Sequence, residues 1–223
     1  MREGTRGRNA RTASGAIVTP HAARFDFIYL ASQSPRRREL LDQLGVRHVP
    51  LPADAGEDVE ALEATRAGEL PAAYVERVTR AKLDAARRRL VRRGLVPAPI
   101  LCADTTVALG RRILGKPADA AEALATLRLL SGRSHRVLTA VAVADGRRVR
   151  QALSVSHVRF CDPSPADLKR YVEGGEPFGK AGAYAIQGGA ARWIMRIEGS
   201  HSGIMGLPLY ETAALLRQAG VRF

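Results

Sequence analysis

The hydrophobic pattern predicts an ordered chain from Phe25 onward. The apolar run at 25–31 is typical of a buried strand of about seven residues. Ser34 followed by Pro35 predicts a helix start, because serine caps the free N–H groups of a first turn and proline fits its first position. Three inward leucines follow at helical spacing, and Gly45 ends the helix.

The middle of the chain alternates strands and helices. A short strand is predicted at 46–51, followed by an acidic, irregular connection over 53–71. Apolar residues spaced three and four apart predict a long helix over 72–93, and Lys82 lies along its apolar stripe. A buried strand follows at 99–109, and one polar cluster, Asp-Thr-Thr, interrupts it.

The last part of the chain predicts an antiparallel section. Two strands meet at the Asp145-Gly146 turn, which is a strong hairpin signal. The remaining predicted elements are a helix at 118–132, the strands at 136–144, 148–160 and 192–199, a helix from Pro165 to about Val172, and a closing helix at 207–220. The pattern predicts an α/β fold, a mixed twisted sheet with flanking helices, in one domain at 25–223.

The positive charge of the chain favours negatively charged partners. Among 223 residues there are 35 lysines and arginines, of which only four are lysine, and the formal net charge is +13. Much of the excess lies at 1–24, which we interpret as a flexible arginine-rich extension, and at 80–93. Such a field attracts nucleic acids, nucleotides and anionic membranes alike. The absence of a long apolar stretch or a secretory signal predicts a cytoplasmic protein with no membrane partner.

The turn Ser-Gln-Ser-Pro-Arg-Arg at 32–37 is the first candidate binding feature. A helix N-terminus attracts anions, and Ser32, Arg36 and Arg37 add a hydroxyl and two guanidinium groups suited to phosphate. The alternative, a simple cap with solvated arginines, fits the pattern equally well. The spacing is not that of a Walker loop.

Asp104 is the main candidate for chemistry. A carboxylate inside an apolar strand is costly unless it is paired, binds a metal or faces a cleft, although a satisfied structural aspartate is the common case. The acidic connection offers a second carboxylate from Asp54, Glu57 or Asp58, and two carboxylates with phosphate oxygens form a typical magnesium environment. With no nucleophile motif in the sequence, metal-assisted attack by water is the compatible chemistry.

Lys82 and Lys116 are two of the four lysines, and a compact ammonium suits a close approach to phosphate. A lysine stem that covers apolar surface explains Lys82 equally well. Gln187 ends a glycine-rich stretch and carries both a donor and an acceptor, so it could read the edge of a base.

Several long segments, in order, resemble the Maf family of nucleotide pyrophosphatases. They are LASQSPRRRELLDQLGV at 30–46, ADTTVALGRRILGKPADAAEAL at 103–124, LSGRSHRVLTAVAV at 130–143, and EPFGKAGAYAIQGGA with IEGSHSGIMGLPLYET within 176–212. The resemblance implies hydrolysis of a nucleoside triphosphate to its monophosphate and pyrophosphate, with a divalent metal ion, Mg²⁺ or Mn²⁺. It also implies an inosine-triphosphatase-like α/β fold with two lobes around a cleft.

The resemblance also implies roles for individual residues. Asp104 matches the proton acceptor and metal-side carboxylate, and Glu57 matches the metal-binding glutamate, although D-x-D-E reads Asp-Ala-Gly-Glu here. The residues that match phosphate-binding and base-specificity positions are Ser32, Arg36, Arg37, Lys82, Thr105, Lys116 and Gln187.

The glycine-rich stretch GKAGAYAIQG resembles the branch of the family that acts on dTTP and UTP. One departure is His201, where that branch usually has tyrosine. The alternatives are the same reaction on another nucleotide, such as 7-methyl-GTP, or a non-catalytic, basic nucleic-acid-binding or division-regulating module. Aromatic residues are only 5% of the chain and almost none lie among the clustered arginines, so we expect no stable nucleic-acid partner. A homodimer is left open.

Overall fold

The structure is a computed structural model that describes residues 24–223. The predicted extension at 1–24 lies outside the described residues, except for Arg24. The described chain forms one seven-stranded sheet with helices around it. Its strands are β1 (Ile28–Leu30), β2 (His48–Pro50), β3 (Ile100–Leu109), β4 (Arg112–Leu114), β5 (Ser134–Asp145), β6 (Arg148–Phe160) and β7 (Ile194–Glu198).

The sheet is mixed, as the sequence predicts. Its strand order is β2-β1-β3-β5-β6-β7, and β4 pairs with β3 beside this path. Strand β1 runs parallel to both β2 and β3, whereas all the other pairs are antiparallel. The predicted α/β class is confirmed. The division into two lobes stays a prediction.

Within residues 24–223, six α-helices accompany the sheet. They are α1 (Pro35–Gln43), α2 (Pro71–Arg92), α3 (Ala120–Leu130), α4 (Pro165–Glu173), α5 (His201–Met205) and α6 (Leu209–Gln218). Three short 3₁₀ turns, at Glu60–Glu63, Ala181–Ala183 and Gly189–Trp193, complete the described elements. In the part of the chain that the structure describes, no helix is long and apolar enough to cross a membrane.

Side chains of β3 alternate between two hydrophobic clusters. Ile100 and Cys102 pack with Leu83 and Ala86 of α2, whereas Leu101 joins the cluster on the α1 and α6 side. This alternation follows from the two-residue period of a strand and buries both faces of the strand under helices. The same alternation decides which helix the polar residues in the middle of β3 contact.

Most predicted elements are present within a few residues of their expected ends. The hairpin loop differs by one position, because Asp145 pairs with Arg148 and leaves Gly146-Arg147 as the two-residue loop. Gly146 has a left-handed backbone, with φ +56°, which a residue without a Cβ adopts at little cost. The sequence patterns did not predict the short elements β4 and α5.

Candidate active site

A pocket of about 890 Å³ opens where the β1–α1 turn, α2, β3 and the glycine-rich segment meet. The nine residues to which the family resemblance gives a role all line this pocket. They are Ser32, Arg36, Arg37, Glu57, Lys82, Asp104, Thr105, Lys116 and Gln187. The fold therefore brings together residues from widely separated parts of the chain around one space.

Asp104 meets Lys82 because both face the same side of β3. The alternation that turns Ile100 and Cys102 toward α2 also turns Asp104 toward it. The Nζ of Lys82 lies 2.6 Å from Oδ1 of Asp104, and both side chains are largely buried. This ion pair compensates a carboxylate that would otherwise be costly to bury in the apolar strand.

A second carboxylate, that of Glu63, completes this group of charges. Its Oε1 lies 2.6 Å from Nζ of Lys82, and its Oε2 lies 2.8 Å from Nζ of Lys116. Burial raises the pKa of Glu63, but Lys82 and Lys116 outweigh burial and hold that pKa below its usual value. Burial lowers the pKa of Lys82, and Asp104 with Glu63 outweighs it, so that the ammonium stays charged.

The 3₁₀ turn that carries Glu63 is fixed to α2 through its backbone. The hydroxyl of Tyr74 donates to the carbonyl of Glu63 at 2.9 Å, and Arg77 donates to the carbonyl of Ala64 at 2.9 Å. Arg77 is itself held by Glu69 through two hydrogen bonds of 2.6 and 2.7 Å. The backbone around Glu63 is therefore positioned before any ligand binds.

On the opposite face of β3, Arg37 joins the β1–α1 turn to the sheet. Its guanidinium donates to the carbonyl of Gly206 at 2.8 Å, to Oγ of Ser32 at 3.1 Å and to Oγ1 of Thr105 at 3.5 Å. Burial lowers the pKa of Arg37, and the nearby Asp104 opposes that shift. Thr105 extends the network to Thr139, whose Oγ1 lies 2.9 Å away.

Glu57 lines the pocket but its carboxylate is held by the end of α2. It accepts hydrogen bonds from Arg89 and Arg92, and Arg89 is almost fully buried and also donates to the carbonyl of Leu51 at 2.9 Å. The hydrogen bonds from Arg89 are the main reason that the pKa of Glu57 is lowered. The structure thus places the predicted metal-binding glutamate beside arginines, and the carboxylate that shares Lys82 with Asp104 is Glu63.

Gln187 is presented by a segment that Glu176 fixes. The Glu176 carboxylate accepts a hydrogen bond from the hydroxyl of Tyr171 at 2.9 Å and another from the backbone N–H of Gly189 at 2.9 Å. A Cβ on Gly188 would overlap the carboxylate of Glu176, so any larger residue there would force this carboxylate to move. The side chain of Gln187 stays exposed at the pocket wall.

Three pocket residues with charged side chains were missed by the sequence analysis: Glu63, Arg89 and Lys180. Burial lowers the pKa of Lys180, and the positive charge of Arg36 lowers it further. Lys180 adds a further positive side chain near Arg36. Its position in the glycine-rich stretch next to other candidate residues was the available signal, whereas no spacing distinguishes Glu63 from its acidic neighbours.

The carboxylate oxygens around Lys82 determine whether a divalent cation could bind there. Oxygens of Asp104 and Glu63 each lie 2.6 Å from the same ammonium, so they are within about twice that distance of each other. Among residues 24–223, no group of three or more His, Cys, Asp or Glu side chains is arranged to hold a metal. One or two carboxylates nevertheless fit Mg²⁺, which proteins often bind together with substrate phosphates and water.

The fold and the pocket define an α/β protein with one deep pocket lined by carboxylates, lysines and arginines. A family profile described as Maf-like protein matches residues 27–219. The chain belongs to this Maf-like family.

Curated relatives that match almost the whole chain carry the name dTTP/UTP pyrophosphatase, and three of them are described here. The protein from Polaromonas sp. is 64% identical over 197 residues, which cover 88% of this chain and 98% of the relative. The protein from Cupriavidus metallidurans is 64% identical over 196 residues, covering 88% and 98%. The protein from Burkholderia pseudomallei is 65% identical over 206 residues, covering 91% and 99%.

Proposed function

We propose that the protein hydrolyses dTTP and UTP to the nucleoside monophosphate and pyrophosphate. The observation that carries the proposal is the pocket itself, in which a buried carboxylate, Asp104, lies beside cationic side chains from three different segments. The names of the curated relatives give the substrate class, and the identity extends over almost the whole length of those proteins.

The cationic side chains would hold the polyphosphate. Lys82 projects from α2 and Lys116 from the loop after β4, and Arg36 and Arg37 project from the first turn of α1. Arg37 is held by three hydrogen bonds, so its role is to position Ser32 and Thr105 as well as to offset negative charge. Positive groups fixed in advance stabilise the charge that develops on a departing pyrophosphate without a later rearrangement.

Asp104 would accept the proton of the attacking water. As the water oxygen bonds to the α-phosphorus, the bond from that phosphorus to the α–β bridging oxygen breaks, and pyrophosphate leaves with its electron pair. Lys82, at 2.6 Å, keeps the Asp104 carboxylate oriented toward the pocket. A bound Mg²⁺ or Mn²⁺ would supply electrostatic stabilisation of the phosphate oxygens, with Asp104 and Glu57 as its proposed protein ligands.

Glu57, a proposed metal ligand, is already engaged in hydrogen bonds with arginines in this structure. Its carboxylate binds Arg89 and Arg92, so it reaches a metal ion only when it is shared with these arginines or released from them.

Gln187, Arg36 and Thr105 are proposed to select the base. The glutamine amide offers both an acceptor and a donor to a pyrimidine that carries an N3–H between two carbonyl groups.

Two broader proposals accompany this function. We propose that residues 25–223 work as one domain, and that the protein acts in the cytoplasm. Cys102 and Cys161 are both free thiols, in keeping with a reducing compartment. A homodimer stays open.

The test is a panel of nucleoside triphosphates assayed for pyrophosphate release, with and without Mg²⁺ or Mn²⁺. We expect turnover of dTTP and UTP that requires the metal ion. Preferred turnover of 7-methyl-GTP or another nucleotide would refute the substrate assignment. No turnover on any nucleotide would refute the enzymatic function and favour the nucleic-acid-binding module.

A further inference from the structure

Two threonine hydroxyls and a backbone carbonyl form one hydrogen-bonded chain that ends at the pocket. Thr105 and Thr139 are direct partners in the pairing of β3 with β5, and their Oγ1 atoms lie 2.9 Å apart. The Oγ1 of Thr139 also lies 2.7 Å from the carbonyl oxygen of Gly203 in α5. Thr105 lines the pocket, whereas Thr139 is only 1% exposed. The proposed function uses Thr105 and gives Thr139 no role.

The carbonyl of Gly203 determines where the hydroxyl hydrogen of Thr139 lies. A carbonyl oxygen accepts hydrogen bonds and cannot donate, so Thr139 donates its single hydrogen to Gly203. The contact between the two threonines therefore needs the hydrogen of Thr105, because Thr139 has no second one. Burial of Thr139 keeps solvent from offering it another partner. It follows that Thr105 donates to Thr139.

Arg37 meets the other end of the chain and requires the same direction. A guanidinium carries donors only, and Nη2 of Arg37 lies 3.5 Å from Oγ1 of Thr105, so Thr105 accepts there. The guanidinium is held in place by its 2.8 Å hydrogen bond to the carbonyl of Gly206. With its hydrogen committed to Thr139, the hydroxyl of Thr105 offers the pocket a lone pair and no donor.

We propose that Thr139 is a positioning residue that fixes Thr105 as a hydrogen-bond acceptor, and that this polarity selects a base with a hydrogen on N3. The inference rests on the proposed function, which places Thr105 among the residues that select the base. Uracil and thymine carry a hydrogen on N3, whereas N3 of cytosine carries a lone pair. Thr105 accepts from the first two, and with cytosine two acceptors face each other unpaired. One N–H can be shared by two acceptors, so Thr105 and Gln187 can read the same position.

The experiment measures the dissociation constants of UTP and CTP by titration calorimetry, without divalent metal, in wild type, Thr139→Val and Thr139→Ser. Valine keeps the shape of the side chain and removes the oxygen that accepts from Thr105, so that the Thr105 hydroxyl becomes free to donate. We expect wild type to prefer UTP, and Thr139→Val to lose about three- to tenfold of that preference through tighter CTP binding. Thr139→Ser is the matched control, because it keeps the hydroxyl and should keep the wild-type preference.

An unchanged preference in Thr139→Val, or equal binding of UTP and CTP by wild type, would overturn the inference. Equal weakening of both nucleotides in Thr139→Val would also overturn it, since that result indicates a structural role alone. In this variant the carbonyl of Gly203 still accepts from the N–H of Gly206 at 3.0 Å, so we expect it to fold.

Should Thr139→Val fail to fold, Thr105→Val tests the same polarity. A hydroxyl that only accepts contributes to UTP binding and opposes CTP binding. Weaker UTP binding by Thr105→Val, with equal or tighter CTP binding, would therefore support the inference. Equal weakening of both nucleotides would overturn it, because it would show that the hydroxyl serves either base.

Turnover of dTTP by wild type with Mg²⁺ separates this inference from the proposed function. Normal turnover together with an unchanged nucleotide preference in Thr139→Val refutes the positioning role alone. Absent turnover together with a lost preference in Thr139→Val refutes the proposed hydrolysis and supports the positioning role.

Discussion

Asp104 and Thr105 are consecutive residues of β3 whose side chains act on opposite sides of the sheet. Asp104 lies 2.6 Å from Nζ of Lys82 on α2, and Thr105 lies 3.5 Å from the guanidinium of Arg37 on α1. The middle of one strand therefore delivers a carboxylate to one helix and a hydroxyl to the other. Substitutions at these two neighbouring positions should have separable effects on chemistry and on binding.

Asp104→Asn should abolish most hydrolysis while the protein stays folded. Asparagine keeps the shape of the side chain but cannot accept the proton of the attacking water, so we expect dTTP turnover to fall by about 10²- to 10⁴-fold. The measurement is pyrophosphate release from dTTP, and the control is retained dTTP binding with an unchanged circular dichroism spectrum. Full activity of this variant would show that Asp104 is not the base.

Gln187→Ala should weaken discrimination between UTP and CTP, not the chemical step. The exposed amide lies at the pocket wall and is proposed to pair with the N3–H edge that distinguishes the two pyrimidines. We expect the ratio of kcat/KM for UTP over CTP to fall about tenfold, which is typical for one lost hydrogen bond to a base. An unchanged ratio would remove Gln187 from base recognition.

Lys82→Met should destabilise the fold in a pH-dependent way. The substitution leaves the partly buried Glu63 and the buried Asp104 carboxylates without their shared cation, at a cost of about 2 kcal/mol near pH 7. The Glu63 pKa is lowered from 4.5 in the folded protein, so this contribution is present above that value and is lost as the pH falls through the lower folded pKa.

Urea unfolding of wild type and Lys82→Met between about pH 7 and pH 4 checks this expectation. The deficit should narrow toward the acid end. Lys169→Met is the matched control, because that lysine is 74% exposed on α4 and its pair with Glu173 is 3.8 Å long. A deficit that does not change with pH would contradict the assigned role of the ion pairs.

His135 should make the fold acid-sensitive. Burial lowers the pKa of its imidazole to about 4, in a site where Nε2 lies 2.7 Å from the hydroxyl of Tyr184 and the ring packs edge-on against Phe160. Below pH 6.5, the ordinary pKa of histidine, the imidazole in the unfolded chain binds a proton that the folded chain does not bind. Stability should therefore fall by up to about 3 kcal/mol as the pH drops from 6.5 toward 4.

His135→Phe removes the titrating group and should flatten this part of the stability curve. The variant loses the hydrogen bond with Tyr184, so it should be less stable than wild type near pH 7 and should lose less on acidification. His157→Phe, on the exposed side of β6, serves as the control and should keep the wild-type slope. Parallel curves for wild type and His135→Phe would exclude His135 as the source.

Local patterns predicted much of this fold because the elements concerned are long. The helix α2 has a continuous apolar stripe, and β5 and β6 are joined by a turn with a strong sequence signal. Strand β4 and helix α5 have only three and five residues, which is too short for a periodic pattern to separate them from a turn. Their positions depend on pairing with β3 and packing against β5.

The sequence likewise predicted only part of the candidate site. Asp104 drew attention because a carboxylate in an apolar strand needs a partner, and the structure supplies one in Lys82. Glu63 carries no such signal, since it lies 19 positions before Lys82 and 53 positions before Lys116 in an acidic, irregular segment. Only the folded chain brings these residues together, so the position of Glu63 between the two lysines could be recognised only from the structure.

Glu176 gives the pocket a modular construction. The segment that presents Gln187 is secured through Glu176, Tyr171 and Gly189, whereas the Lys82–Asp104 pair is secured by α2 and β3. Changes in nucleotide preference can therefore arise, by natural variation or in the laboratory, through substitutions around Gln187 that leave the hydrolytic group intact. Gly188 limits that freedom, because any side chain there would displace the carboxylate on which the module depends.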